Sequence, residues 1–531
     1  MGGITTDPQE DPGVQGDRRG TRGDRTGHVE RRGSGRRAAL AAQRTHPPER
    51  DVAAGRGAGV STAVVVGGGP NGLAAAITLA GRGVDVTVLE ACDEIGGGVR
   101  SSSEGGLVHD QCAAIHPMAV GSAFLSGLGL DRHGLRWRWP EIDCAHPLDG
   151  GGAGLLHRSV EATAAALGED GGRWRAAFGG PAARFDVLAQ DIMGPLLRVP
   201  KHPLALARFG APTVLPAAVF TRLFRTPQAR ALFGGVAAHT FQPLHHPLTS
   251  AIGLGIITAG HRHGWPVAEG GSQAITDALA AVLAELGVKV ETGVHVTSAA
   301  QLPPADVTMF DIAPTAVADI LGDRLPRRVA HGFRRFRYGP GAFKVDFAVE
   351  GPVPWTNPQV GRAGTVHLGG DFDEIAATER DIHAGRMPRR PFVLVGQQYL
   401  ADPSRSSGNV NPVYSYAHVP HGYTGDATEA IIGQFERFAP GFRERIVGMA
   451  VRSTTEMSVY NPNYVGGDIC TGAKDIRQLV FGPRTTLQPY RVGVPGMFIC
   501  SAATPPGPGA HGMCGANAAE QALTFLARAV A

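Results

Sequence analysis

The sequence contains no run of about 18 uncharged apolar residues, the length a membrane-spanning helix needs, and so predicts none. Cysteine is scarce: Cys92, Cys112, Cys144, Cys470, Cys500 and Cys514 form no CxxC pair and show no metal-ligand spacing. That argues against a redox-active disulfide and against a metal site, and scattered thiols are those of a reducing, cytoplasmic setting. An excess of either charge is missing too. Lys and Arg total 50 against 47 Asp and Glu, a formal net charge of +3, and nothing suggests a nucleic-acid groove. Only four of the fifty cations are lysine, and Ala, Gly, Arg and Pro are abundant throughout, the bias of a GC-rich bacterial genome.

Residues 1–59 have no aromatic residue and no hydrophobic period, with eleven arginines facing eight acids. Such a segment cannot bury enough surface to offset chain entropy, so it is expected to be a disordered tail. It has neither the apolar stretch of a signal peptide nor the acid-poor composition of a transit peptide.

What is present begins at Thr62. TAVVVGGG is an apolar, β-branched run suited to a strand buried on both faces of a parallel sheet. A helix is predicted from about Pro70 to Arg82, with proline in its first turn and Gly83 beyond its end. A second strand, VDVTVLE, runs from Val84 to Glu90. From Asp149 to Ala259 the chain is rich in Ala, Leu and Pro with helical periodicity and no clear strand pattern, and reads as a helical cap. PTVLPAAVF from Pro212 and SAIGLGIITAG from Ser250 suit either core packing or peripheral contact with a membrane surface. Further on, Ser272 is placed to cap a helix carrying Ile275, Leu279, Val282, Leu283 and Leu286, followed by a strand through Val290. FKVDFAV, GTVHLGG and FVLVGQQYL, between Phe343 and Tyr416, are β-like.

Three constellations carry chemistry. Gly67, Gly69 and Gly72 have GxGxxG spacing between strand and helix, and Glu90 closes the next strand. Glycines there let the backbone approach a pyrophosphate, the helix N-terminus supplies N–H groups, and the acid accepts from ribose hydroxyls. The trio alone is weak, but strand, trio, helix, strand and acid in register predict a dinucleotide site. Next, Gly96-Gly97-Gly98-Val99-Arg100 is either a flexible turn or a loop bringing Arg100 to the pyrophosphate. Near the C-terminus, the strand Met497–Cys500 leads through a Gly/Pro loop into a helix of small residues. Gly512, Gly515, Ala516 and Ala518 would let a flat ring lie near the backbone, whereas the plainer reading is a helix docked on a sheet.

Together VVVGGGPNGLAAA, Glu90, GGGVR and TPPGPGAHGMCGANAA resemble the phytoene desaturase-like branch of the FAD-dependent amine-oxidase superfamily. More narrowly they resemble the group named after pyridine nucleotide-disulphide oxidoreductase domain-containing protein 2. FKVDFAVEGPVPW, AGTVHLGGDFDEIA, PFVLVGQQYLADPSR, YSYAHVPHGY, ERFAPGF and NPNYVGGDI extend the likeness over nearly everything after Val60. It implies an α/β fold: an FAD-binding Rossmann-like domain with an interleaved α+β substrate domain. The expected division is FAD-binding segments 60–148, 263–315 and 481–531, a helical cap 149–262, and the remaining substrate domain 316–480. By the same resemblance FAD would meet Gly67, Gly69, Gly72, Glu90, Gly97, Arg100, Val296, Met513 and Gly515. Pro508 and Ala510 depart from the commoner glycine and valine of the group's C-terminal loop.

On the substrate side Tyr416, His418, His421 and Tyr423 form a polar aromatic cluster, and His116 and His511 sit near the expected flavin loops. Histidine suits proton transfer, and His418 and His511 are the candidate catalytic residues. The expected reaction is hydride transfer from a C–H bond of a small-molecule substrate, polar or apolar, to flavin. Flavin-dependent isomerisation and a non-catalytic FAD-containing regulatory protein are the alternatives.

Overall fold

The computed structural model describes residues 60–530; the disorder expected of residues 1–59 lies outside the described residues. The first apolar run forms β1, Thr62–Val66. α1, Pro70–Ala80, follows with Gly69 at its N-cap, and β2, Asp85–Leu89, lies parallel to β1. Later segments complete the sheet: Lys289–Glu291 beside β2, Val307–Phe310 beside β1, and Met497–Ile499 at the far edge, all parallel. Both faces of such a sheet must be covered. Side chains alternating along β1 do this. Ala63 and Val65 pack with α1, the helix Gln273–Glu285 and the C-terminal helix Met513–Val530. Val64 and Val66 pack on the other side with the helices Pro314–Leu321 and Arg327–Arg334. The result is a doubly covered α/β sheet of Rossmann type, drawn from both ends of the described chain.

A second sheet has seven strands, in the order Ile446–Arg452, Gly341–Glu350, Val410–Val419, Val393–Gly396, Ala363–Leu368, Ile142–Pro147 and Ala153–Leu156. It is antiparallel except between Ala363–Leu368 and Ile142–Pro147. The helix Thr428–Phe438 buries Ile431, Ile432 and Phe435 against one face. Helices between residues 160 and 263 form another core around Trp174, Phe178, Phe233 and Trp265.

Two expectations need correction. The region read as a largely helical cap with no clear strand pattern contributes the strand Ala153–Leu156, and its partner Ile142–Pro147 precedes the expected boundary at 149. IDCAHP is fully buried although it carries Asp143 and His146, so its polarity hides a core strand. Ser272 does not cap the helix after it. Its backbone is already helical (φ −62°), and its Oγ lies 2.9 Å from His116 Nε2.

Candidate cofactor and active site

A cavity of about 1040 Å³ runs from the carboxyl ends of β1 and β2 to an aromatic wall on the seven-stranded sheet. That is the upper end of the roughly 300–1,000 Å³ usual for small-molecule sites, and ligands of open α/β sheets bind at this end of the strands. At the sheet end, Gly67 has φ +103°, open to glycine at little cost, and its N–H donates to Leu89 O at 2.8 Å. Glu90 is buried and accepts from Gly68 N–H (2.6 Å) and Cys92 N–H (2.9 Å), one on each oxygen, so its carboxylate is fixed against the cavity. Gly67, Gly69, Glu90, Gly97, Arg100 and Val296 all line the space.

Gly72 does not. A Cβ there would lie 2.0 Å from Gly67 O, so the third glycine lets α1 close onto the strand turn. A carboxylate absent from the sequence reading holds this helix end. Asp311 follows the strand Val307–Phe310, is buried, and accepts from Gly72 N–H at 2.7 Å. Burial pushes its pKa well above the carboxylate range, and the Glu90 charge adds to that, while the Gly72 hydrogen bond opposes it. An acid just after the fourth parallel strand was the only available signal, and nothing local ties it to Gly72.

The second glycine loop rests on the first. Gly97 has φ +53°, and a Cβ on it would come within 3.1 Å of Gly69 Cα. Arg100 donates from Nε to Gly97 O (2.9 Å) and lies over Tyr460, 4.5 Å from the ring centroid. Tyr460 Oη also donates to Gly97 O at 2.7 Å, so loop, arginine and ring hold one another.

At the other end the small residues have a different task from the one expected. A Cβ on Gly515 would meet Asn71 O at 1.8 Å, and one on Gly512 would meet the Phe124 ring at 2.6 Å. They let the C-terminal helix cross α1 closely, and neither Gly515 nor Met513 lines the cavity. His511 does line it. Its Nδ1 accepts from Met513 N–H at 3.1 Å, and burial lowers its pKa to about 4, so the ring is neutral with its proton on Nε2.

His418 is set behind the wall. It is buried, pairs through Nδ1 with Glu379 Oε1 at 2.7 Å, and stacks on Phe241 at 3.8 Å between centroids. Phe241 is the cavity surface there, with the unusual backbone φ of 52°. Of the expected aromatic cluster, Tyr416 reaches the cavity; His421 binds Gly339 O and Tyr423 packs beside the sheet core. His116 also lines it, held neutral by burial at a pKa of about 4. Sequence reasoning missed His239, a lining residue whose Nε2 lies 3.1 Å from His367 Nε2. Burial, with His418 nearby, lowers its pKa to about 3.

Five residues of the wall carry a buried polar atom without a protein partner: Asn71 Oδ1, Trp265 Nε1, Thr365 Oγ1, Thr471 Oγ1 and Ser501 Oγ. Buried polar atoms are nearly always paired. Glycine cradle, fixed acid, helix N-terminus and orphaned groups together fit a large polar ligand of dinucleotide type.

Known proteins bear on this geometry. The family model for the NAD(P)-binding Rossmann-like domain matches residues 65–124. Hydroxyneurosporene desaturase of Cereibacter sphaeroides is 30% identical over 298 residues, covering 50% of this chain and 59% of the desaturase. Pyridine nucleotide-disulfide oxidoreductase domain-containing protein 2 of Rattus norvegicus is 23% identical over 222 residues, 39% of this chain and 35% of the relative. The matched segments therefore span less than two thirds of either relative. Among solved structures, a double mutant from a redesign of cofactor binding in putrescine oxidase superposes with a TM-score of 0.58 and 17% identity, covering 88% of this chain and 99% of the oxidase. The chain is thus similar in sequence to part of a hydroxyneurosporene desaturase and shares its fold with putrescine oxidase, in line with the resemblance its motifs carry.

Proposed function

We propose that this chain is an FAD-dependent oxidoreductase that removes hydride from a C–H bond of a largely apolar substrate. The observation that carries the reading is one continuous cavity, with a dinucleotide cradle at one end and the Phe241, Leu394, Tyr414 and Tyr416 wall at the other. Similarity to a desaturase supports it. FAD, when bound, supplies the hydride acceptor.

The residues of the chain bind and orient. Glu90 holds the adenosine ribose, with Val296 beside the adenine. The N-terminus of α1, whose Gly72 N–H is already taken by Asp311, and Arg100 hold the diphosphate, whose charge suits the positive end of the helix. Gly97 keeps that loop close, and Gly72, Met513 and Gly515 act indirectly by fixing how α1 meets its neighbours. His511 is proposed as a hydrogen-bond donor, because its Nδ1 lone pair is already used and its proton therefore sits on Nε2. A base is a poorer role for a ring whose pKa is about 4. His418 is proposed to position Phe241.

The strand pairings support a nucleotide-binding domain drawn from segments 60–141, 263–315 and 481–530, with Ile142–Pro147, expected in its first segment, belonging instead to the seven-stranded sheet of the substrate domain. Six unpaired thiols support a cytoplasmic location. Among the described residues no single helix is long and apolar enough to cross a membrane.

The test is an anaerobic screen of pooled metabolites for bleaching of the bound flavin, with mass spectrometry of the product. A loss of two hydrogens is expected. A product of unchanged mass would replace the reading with isomerisation, and slow reduction by every pool would favour a non-catalytic role.

A further inference from the structure

From Ile192 to Ala268 the chain has not one Asp or Glu. Within that stretch, eight of the eighteen exposed large apolar side chains fall between Leu196 and Leu223. Val199 is 92% exposed and Leu204 81%. Single exposed leucines are ordinary, but a cluster of this kind marks a contact surface. Arg198, Lys201, Arg208, Arg222 and Arg225 are exposed in the same segment. Lys201, Arg208 and Arg222 have no carboxylate partner among the described residues, as the absence of any acid from this stretch requires of its near neighbours in sequence.

The segment is built as an elbow. The helix Pro203–Thr213 and the turns Ala217–Leu223 are together as apolar as a membrane span but meet at 91°, so they suit lying in an interface and not crossing it. The elbow is also a doorway. Leu196 and Val214 are exposed at 41% and 56% and at the same time line the cavity, as do Leu206 and Phe209.

We propose that this elbow docks on the surface of an anionic lipid bilayer, with Val199 and Leu204 inserted among the acyl chains, the free cations on the headgroups, and the cavity mouth facing the apolar layer. Charge complementarity selects this occupant. A second copy of the chain would set one acid-free basic face against another, whereas an anionic headgroup layer attracts juxtaposed Lys and Arg. The docking goes beyond the proposed reaction and does not depend on turnover.

Vesicle co-sedimentation of the full-length, FAD-loaded protein tests it. Vesicles of equal parts phosphatidylcholine and phosphatidylglycerol should carry the protein down, and vesicles of phosphatidylcholine alone should do so about tenfold less well. Two variants separate the apolar and charged parts: Val199→Glu with Leu204→Glu, and Lys201→Glu with Arg208→Glu. None of these four residues lines the cavity. Each pair should lower binding to the mixed vesicles about tenfold or more, with flavin content and circular dichroism unchanged. Equal binding by wild type and both variants overturns the proposal. So does failure of the wild type to bind either vesicle, or a wild-type dimer in sedimentation equilibrium that Leu204→Glu converts to monomer, since the elbow would then be a self-association surface.

Discussion

Asp311 and Gly72 are joined by a 2.7 Å hydrogen bond across 239 positions of sequence, so the carboxyl that follows the fourth parallel strand closes the first turn of α1. This side chain is an N-cap supplied from another element, and it lines the cavity beside the helix end at which the diphosphate of a dinucleotide is proposed.

Its titration has a definite sign. The folded-state pKa is raised, chiefly by burial, so above the ordinary carboxyl value the folded form retains a proton that the unfolded form releases. Unfolding free energy therefore falls as pH rises from that value toward the raised one. Asp311→Asn removes the titration while keeping an acceptor for Gly72 N–H, and should flatten this part of a plot of melting temperature against pH. Asp311→Ala also removes the acceptor and should cost about 1–2 kcal/mol at all pH values. Parallel pH profiles for wild type and Asn variant would disprove the assignment.

Glu90→Gln should weaken FAD binding by about 1–3 kcal/mol, read as the dissociation constant after flavin removal and titration. Glu90 already anchors Gly68 and Cys92 through both oxygens, and an amide has only one acceptor. The loop and the ribose contact are lost together. An unchanged constant would remove Glu90 from the ribose site.

The N-terminal half of this site was readable because its parts are close in sequence. Gly67, Gly69, Gly72 and Glu90 sit on one strand-helix-strand unit, so local spacing carries the geometry. Asp311 was not readable, because only folding brings it to Gly72. Nor was the split among the histidines: HVPHGY gives no sign that His418 lies behind Phe241 while His239 reaches the cavity. The strand Ile142–Pro147 escaped for a different reason. Its Asp143, Cys144 and His146 break the apolar signal, although burial is complete. In the C-terminal helix the need for small residues was legible but their partner was not, for Gly515 meets Asn71 O and no ring.

That contact gives a paired prediction. Gly515→Ala forces a Cβ to 1.8 Å from backbone oxygen and should destabilise by about 1–3 kcal/mol, despite alanine's better helix propensity. Gly433→Ala, in the helix Thr428–Phe438 with open space around it, should gain up to about 1 kcal/mol. Chemical denaturation of both variants checks the sign of each. A stabilised Gly515→Ala would mean that α1 and the C-terminal helix do not pack this closely.

NADH and NADPH should reduce the bound flavin poorly, although a relative bears a pyridine-nucleotide name and the matching family model is that of an NAD(P)-binding domain. A nicotinamide site ordinarily needs its own strand-glycine-helix-strand unit. The one other GxGxxG spacing is Gly507, Gly509 and Gly512, between the edge strand Met497–Ile499 and the C-terminal helix. Here Gly512 packs on Ala74 and Phe124, and Gly515 on Asn71, so this stretch completes the first nucleotide unit by covering α1 and forms no second one. The six cysteines are all unpaired thiols and three of them are buried, which leaves no disulfide to relay electrons. Oxygen, a quinone or another oxidant is then the expected electron acceptor. Mixing with NADPH under nitrogen should leave the absorbance near roughly 450 nm, a property of oxidised flavin itself, almost unchanged. Bleaching within seconds would require a nicotinamide site elsewhere in the cavity, and its aromatic wall at Tyr414 and Tyr416 would be the place to look by substitution.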